Sequence, residues 1–384
     1  MKNVLEIHIL QNFAPSNLNR DDTGSPKDAI FGGTRRGRIS SQCLKRAMRE
    51  HFRESGLLVE EDLALRTKRV VQPLAEALHS RGRSVTESEA IIALALSGLE
   101  LKVSDGKSQY LLFLAEREIE RVAGLIDEHW DSLVKLVQGE SGGEKASKKA
   151  AKTTVPPELV KAMGAALDGG KAVDVALFGR MVADRPEAGR DAAAQVAHAI
   201  STHKVDREFD FYTAVDDLQP DDTAGADMLG TVEFDSACYY RYALIDLDKL
   251  VENLQGDRAL ALKGVEAFLC ASVHAEPTGK QNSFAAHNPP SLVAFTVRKN
   301  ASPRSLANAF ERPVRPGQDG LVAESAQALV AEWVRLDAAY GDAGAASYLN
   351  VTPLLELALP GVRASTIDSL ITQTMHSVQA VVGE

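Results

Sequence analysis

The sequence predicts an α+β fold in which a ferredoxin-like split βαβ core is interrupted by a large helical insertion. Three observations carry this expectation: an alternating strand and an amphipathic helix near the start, a long helical stretch after them, and a return to strand, helix and strand in the second half. Val4–Gln11 alternates, with Leu5, Ile7 and Ile9 on one face and Glu6 and His8 on the other, the pattern of a half-buried strand. A turn-rich loop, APSNLNRDDTGSPKD, follows, and GGTRRGR continues it as a flexible basic loop. From Ser41 the period becomes helical: Cys43, Leu44, Ala47, Met48 and Phe52 form an apolar stripe, Ser40 or Ser41 is the N-cap, and Gly56 is the stop.

Residues 57–135 read as mainly helical, including IIALALSGLEL, and Gly139–Glu158 as a mobile loop rich in Gly, Ser, Lys and Pro. An alanine-rich helix is expected near Arg190–His203. VDREFDFYTAVDD then alternates as one arm of a hairpin with an acidic, turn-rich tip. A strand over Thr231–Leu247, a helix near Arg258–Ala275, a strand at Leu292–Val297 and a helix opened by Ser302 and Pro303 complete the order.

The chain has 384 residues, a formal net charge of -10 and three widely spaced cysteines in no CxxC pair. That cysteine usage argues against a disulfide framework or a thiolate zinc site. No signal peptide or membrane-length apolar run is seen, and a cytoplasmic location is expected. GxSxG, GxxxxGK[ST] and a strand-linked GxGxxG are all missing, and His198 and His203 are five apart rather than at the helical metal-pair spacing. Against the acidic background, Lys27–Arg53 gathers eight Lys/Arg and two Asp/Glu. Lys45, Arg49 and Arg53 fall on one side of the helix, Ser40–Ser41 offers hydroxyls and N–H groups at its positive end, and Gly32, Gly33 and Gly37 would let backbone approach a phosphate. Asp21, Asp22 and Asp28 are turn residues that could instead serve as acid/base groups in an RNA-cleaving loop, and Phe209, Phe211 and Tyr212 could stack on bases.

PSNLNRDDTGSPKDAIFGGTRRGRISSQCLKRAMR resembles the N-terminal signature of the CasC family, the crRNA-binding backbone subunit of the type I-E CRISPR complex Cascade. ALFGRM, AHAISTHKVD, FYTAVDDL, YYRYA, GKQNSFAAHNP and LANAFE follow in order, so the resemblance spans nearly the whole chain and is weakest over 57–160 and after Gly344. It implies an RRM-like palm (1–56 and 229–384), a helical fingers insertion (57–200) and a β-hairpin thumb (201–228). Several copies would polymerise along the spacer of the crRNA, hold its backbone and present bases in segments to target DNA, with other Cascade subunits as partners and no membrane, cofactor, metal or enzymatic activity. The resemblance assigns RNA contacts to Lys27, Ser40, Gln42, Lys45, Arg46, Arg49, Lys280, Gln281 and Ser283. It assigns a nucleotide wedge to Met181 with Tyr212, or with Phe211 as second choice, and target-DNA contacts to Lys145, Lys148, Lys149 and Lys152. The alternative is an endoribonuclease of the type III backbone kind that uses Asp22 or Asp28.

Overall fold

The computed structural model describes residues 2–141, 155–181, 189–214, 228–341, 344–354 and 356–383. Two compact units divide the chain, one built from Met1–Leu57, Ala194–Asp248 and Val265–Glu384, the other from Leu58–Ala193 and Lys249–Gly264.

The first unit is a large mixed sheet with helices. Strand β1 (Lys2–Ser16) lies inside it, antiparallel to both Met228–Asp246 and Leu292–Ala301. Beyond Met228–Asp246 come Ala199–Ser201, β3 (Thr34–Ile39) and β2 (Asp28–Phe31), and beyond Leu292–Ala301 come Ala345–Asn350 and Val362–Arg363. The half-buried reading of β1 is corrected here, because Glu6 and His8 are as buried as Leu5, Ile7 and Ile9. Leu44 packs with Phe13 and Tyr239 on one face, and Trp333 packs with Leu10 and Tyr240 on the other, so both faces are covered. Glu6 is tolerated there because a buried carboxylate needs a cation and hydrogen bonds. Arg298 Nε supplies both at 2.6 Å, Tyr242 donates at 3.3 Å, and the Arg304 backbone N–H donates as well.

Two expected helices form other structures. The alanine-rich segment provides the short strands Ala194–Val196 and Ala199–Ser201, since pairing with Met228–Asp246 outweighs the small helix preference of alanine. The Ser302–Pro303 helix does not start: Arg304 is drawn by its N–H to Glu6 and by its guanidinium to Asp337 and the Tyr340 and Gly341 carbonyls, and a 3-10 turn follows at Ala307–Phe310.

The GGTRRGR segment is a β-hairpin rather than a loop. Gly32 and Gly33, at φ 56° and 73°, make a two-residue turn between Phe31 and Thr34, which requires left-handed backbone. A Cβ on Gly32 would fall 1.7 Å from the Glu311 carbonyl oxygen, and one on Gly37 2.7 Å from the Tyr239 hydroxyl. Those two glycines therefore admit neighbouring protein groups, which corrects their assignment to a phosphate. Arg36, between them, is fully buried and spends all five N–H donors internally. Nε donates to Thr34 Oγ1 at 2.9 Å, and the two terminal nitrogens donate to the carbonyls of Ser201, Thr202, Phe310 and Glu311 at 2.8 to 3.2 Å.

In the second unit, helices Val71–Ser80, Val85–Gly98, Glu116–Glu128, Trp130–Ser141 and Pro157–Ala166 enclose Leu74, Leu78, Ile92, Leu96, Val122, Ile126, Leu133 and Met163. The strands Ala64–Thr67 and Leu112–Ala115 pair beside them. Glu118 accepts from the Ala115 and Gly169 N–H groups and forms a buried ion pair with Arg180 at 2.8 Å.

Replacing Arg36 with Met leaves three buried carbonyls, of Ser201, Thr202 and Phe310, and the partly buried one of Glu311 without their donors, so the expected loss is about 3 kcal/mol of unfolding free energy, read by urea titration.

Candidate nucleic-acid interface

Helix α1 (Ser41–Glu54) is capped by Ser40, whose hydroxyl accepts from the Cys43 N–H at 3.3 Å. Its buried side is Leu44, Ala47, Met48 and Phe52, as the period requires, and Gln42 is exposed while Lys45 and Arg49 are half-buried. Burial holds the Lys45 ammonium below its ordinary pKa, so a phosphate beside it would restore favourable surroundings for the charge. Arg46 is exposed, and its Nε pairs with Glu50 at 2.8 Å, a surface pair of small energy.

Asn19 connects the pieces of this surface. Its side-chain oxygen accepts from the Ser40 N–H at 2.8 Å, and its backbone oxygen accepts from the Lys27 N–H at 2.8 Å. His198 lies beside the helix start, with Nδ1 3.3 Å from the Ser41 N–H and 3.3 Å from the Arg38 guanidinium. Burial, then the positive charges of Arg38 and Lys27, hold this imidazole below its ordinary pKa, which marks a locally positive field. The loop carrying Lys280 closes on the same region, since Gly279 has no room for a Cβ against the Leu18 carbonyl, 2.2 Å away. Ser283 is exposed and Lys280 half-buried, but Gln281 is a structural clip: it accepts from the Ala286 N–H at 2.8 Å and donates to the Pro277 and Ala286 carbonyls. Gln281 was expected on RNA, and its amide is engaged within its own loop instead.

The arm Glu208–Ala214 pairs with Met228–Asp246, and its tip, 215–227, lies outside the described residues. Phe209 and Phe211 are 67% and 64% exposed on one face of the arm. Tyr212 is on the other face, its ring lying across the facing Gly230, where a Cβ would come within 2.3 Å of it. Phe209 was noted from its sequence only as a base-stacking residue, and the alternation of Phe209 and Phe211 was the signal that they share a face. At the root of the arm, Arg207 bridges Asp28 and Glu233 at 2.8 and 3.0 Å. Asp28 also pairs with Arg35, and Asp21 accepts from Thr23 and from the Ser25 N–H as turn-forming aspartates do. Asp22 is exposed.

Met181 belongs to the second unit and is 87% exposed on a cleft of about 830 Å³ lined also by Arg190, Lys249, Glu252 and Asn253. Arg180, next to it, is pinned by Glu118 and by backbone hydrogen bonds in both directions with Arg190. Lys145, Lys148, Lys149 and Lys152 lie outside the described residues. No group of three or more His, Cys, Asp or Glu able to hold a metal ion occurs among the described residues, and no helix among them is long and apolar enough to cross a membrane.

Solved structures contain chains of the same fold. A chain of a "CRISPR RNA-guided surveillance complex, pre-nicking" is 32% identical, with a TM-score of 0.81 over 97% of this chain and 100% of that one. A chain of a "CRISPR RNA-guided surveillance complex" is 30% identical, with a TM-score of 0.73 over 97% and 99%. No curated protein matches. Fold and sequence together make this a CRISPR-associated (Cas) protein. The chain belongs to the CT1975-like protein family, which it matches over residues 5–373.

Asp235, at the arm's root, is buried, and that burial pushes its carboxyl up to about 6, against the pull of the Tyr239 hydroxyl and Arg207 and with the help of Asp28. A raised folded-state pKa means stability that is present below the unfolded value near 3.8 and lost as pH rises through about 6. Asp235→Asn is therefore expected to be about 2 kcal/mol more stable than the parent at pH 8 and equal to it at pH 4, measured by paired denaturant titrations.

Proposed function

We propose that the chain is the non-catalytic backbone subunit of a type I-E CRISPR surveillance complex, of the CasC kind, acting in the cytoplasm. Several copies polymerise along the spacer of the crRNA, hold its sugar-phosphate backbone, and leave the bases free for pairing with target DNA in short segments. The observation that carries this reading is the end-to-end likeness to chains of RNA-guided surveillance complexes, with nothing substantial left over in either chain. The strand order Leu292–Ala301, β1, Met228–Asp246, Ala199–Ser201, with α1 and Arg258–His274 as the connecting helices, supports a ferredoxin-like palm. The fingers are then 58–193 with 249–264 rather than 57–200, since Ala194–Val196 and Ala199–Ser201 pair within the sheet, and the thumb is the hairpin to which Glu208–Ala214 belongs.

In this reading Lys27, Lys45, Arg49 and Lys280 supply charge along one strip, and Ser40, Gln42 and Ser283 supply hydrogen bonds to sugar and phosphate. Arg46 joins them by exchanging Glu50 for a phosphate. Met181 and an aromatic of the arm separate one nucleotide from its neighbours, and the lysines at 145, 148, 149 and 152 attract the target duplex. The non-catalytic part is supported, for Asp28, by its engagement with two arginines, which leaves the exposed Asp22 as the position that the nuclease alternative would use.

Co-expression with the companion subunits and a crRNA, followed by light scattering and nuclease protection, tests the assembly: a large particle with a protected spacer is expected, and a monomer with bare RNA would sink it. Metal-dependent cleavage of the RNA lost on changing Asp22 or Asp28 would convert the reading to the nuclease. Changing Lys45 and Arg49 together to Ala should weaken guide binding by about 10-fold or more for every spacer sequence and flatten its salt dependence, as titrations at several salt concentrations will show.

A further inference from the structure

Four arginines are buried among the described residues, and three of them are fully provided for. Arg36 has five internal acceptors, Arg180 has the Glu118 carboxylate, and Arg298 has Glu6 with Asp337 beyond it. Arg241 differs. It stands on Met228–Asp246 opposite Ile9 and is 7% exposed. Among the described residues its side chain makes one hydrogen bond, from a terminal nitrogen to Gln11 Oε1 at 2.6 Å, and its Nε is enclosed without a partner. Among the described residues no carboxylate lies within ion-pair distance of it. Glu276 is close enough to be felt electrostatically, but its carboxylate is bonded to His287 at 2.7 Å.

A buried cation without an anion is costly, and proteins neutralise it, pair it or leave it for a ligand. Arginine cannot take the first route within the working pH range, although burial pushes the guanidinium down to about 10. We propose that Arg241 is a phosphate-binding residue, held ready by Gln11 and completed only when a phosphodiester of the bound RNA reaches the terminal N–H groups that Gln11 does not take. The surroundings fit this use. Gln11 is itself positioned by donating to the Asn288 carbonyl at 2.8 Å, and Asn288 Oδ1 accepts from the Ala14 N–H, so the clamp on Arg241 is built from the end of the loop that carries Lys280 and Ser283. A guanidinium fork matches two phosphate oxygens where an ammonium would meet one. This inference rests on the RNA-binding reading above and adds to it a buried contact that the exposed basic strip of α1 does not supply.

The test compares Arg241→Met and Arg241→Lys with the parent, each measured as the RNA-free subunit by thermal melting and as the co-expressed complex by guide titration across salt. Arg241→Met keeps the apolar stem and removes the stranded charge. It should melt no lower than the parent without RNA, bind guide about tenfold more weakly, and lose about 0.7 from the slope of log K against log salt for each subunit bound. Arg241→Lys should keep the slope and lose part of the affinity. Parental affinity and slope in Arg241→Met would overturn the proposal, as would a lowered melting temperature of that variant without RNA, which would make Arg241 a structural strut. Loss of self-assembly without RNA in Arg241→Met would assign the open donors to a neighbouring protein's carboxylate instead, which also overturns it. If the parent complex binds no guide, the RNA-binding reading falls; if the parent binds and Arg241→Met binds equally, only the present inference falls.

Discussion

The sheet unit depends on one buried cation satisfied without an anion, by four backbone carbonyls and one hydroxyl. Arg36 draws the β2–β3 hairpin, the turn at Ser201–Thr202 and the segment at Phe310–Glu311 to a single guanidinium. β3 is also joined there by the short ladder at Arg38–Ile200 and Ile39–Ala199, by the Gly37 N–H donating to Ser201 Oγ and by the Val205 N–H donating to the Arg35 carbonyl, both at 3.1 Å. The carbonyls taken by Arg36 stand at or just past the ends of the Ala199–Ser201 strand and the Ala307–Phe310 turn, where regular bonding stops, so a cation replaces what a further strand would have supplied. The capping residue Ser40 directly follows β3, and the direction of α1 and its basic side is set by this clamp.

Local physics was legible in the sequence where the cause was local. The apolar period of α1, its serine cap and the strand character of Met228–Asp246 follow from residues a few positions apart, and the structure keeps all three. Glu6 and His8 misled because their partners Arg298 and Tyr240 are more than two hundred residues away, and alternation cannot distinguish a solvated face from one buried with distant ions. The Gly32–Gly33 pair between β-formers was a hairpin signal in its own right, obscured by reading the glycines for a ligand.

Charge and period were enough to place Lys45 and Arg49 off the buried stripe of α1 and Ser40 at its cap. They did not reveal that Arg46 pairs with Glu50 or that the Gln281 amide is held by the Pro277 and Ala286 backbone. Nor could sequence separate Arg36 from Arg35 and Arg38, or single out Arg241 within YYRYA: which guanidinium is saturated and which is left open is a property of packing.

The helical unit is not one continuous excursion of the chain, for Lys249–Gly264 returns to it after the sheet has been largely assembled in sequence. Asn253 from that piece holds the Ala176 and Asp191 carbonyls, and Asp257 pairs with Lys171. An ordinary insertion can be excised or exchanged between homologues at two splice points. Here four are needed, so a graft that moved 58–193 alone would strip the unit of its second thread, and during synthesis the unit cannot close until the ribosome has passed residue 264.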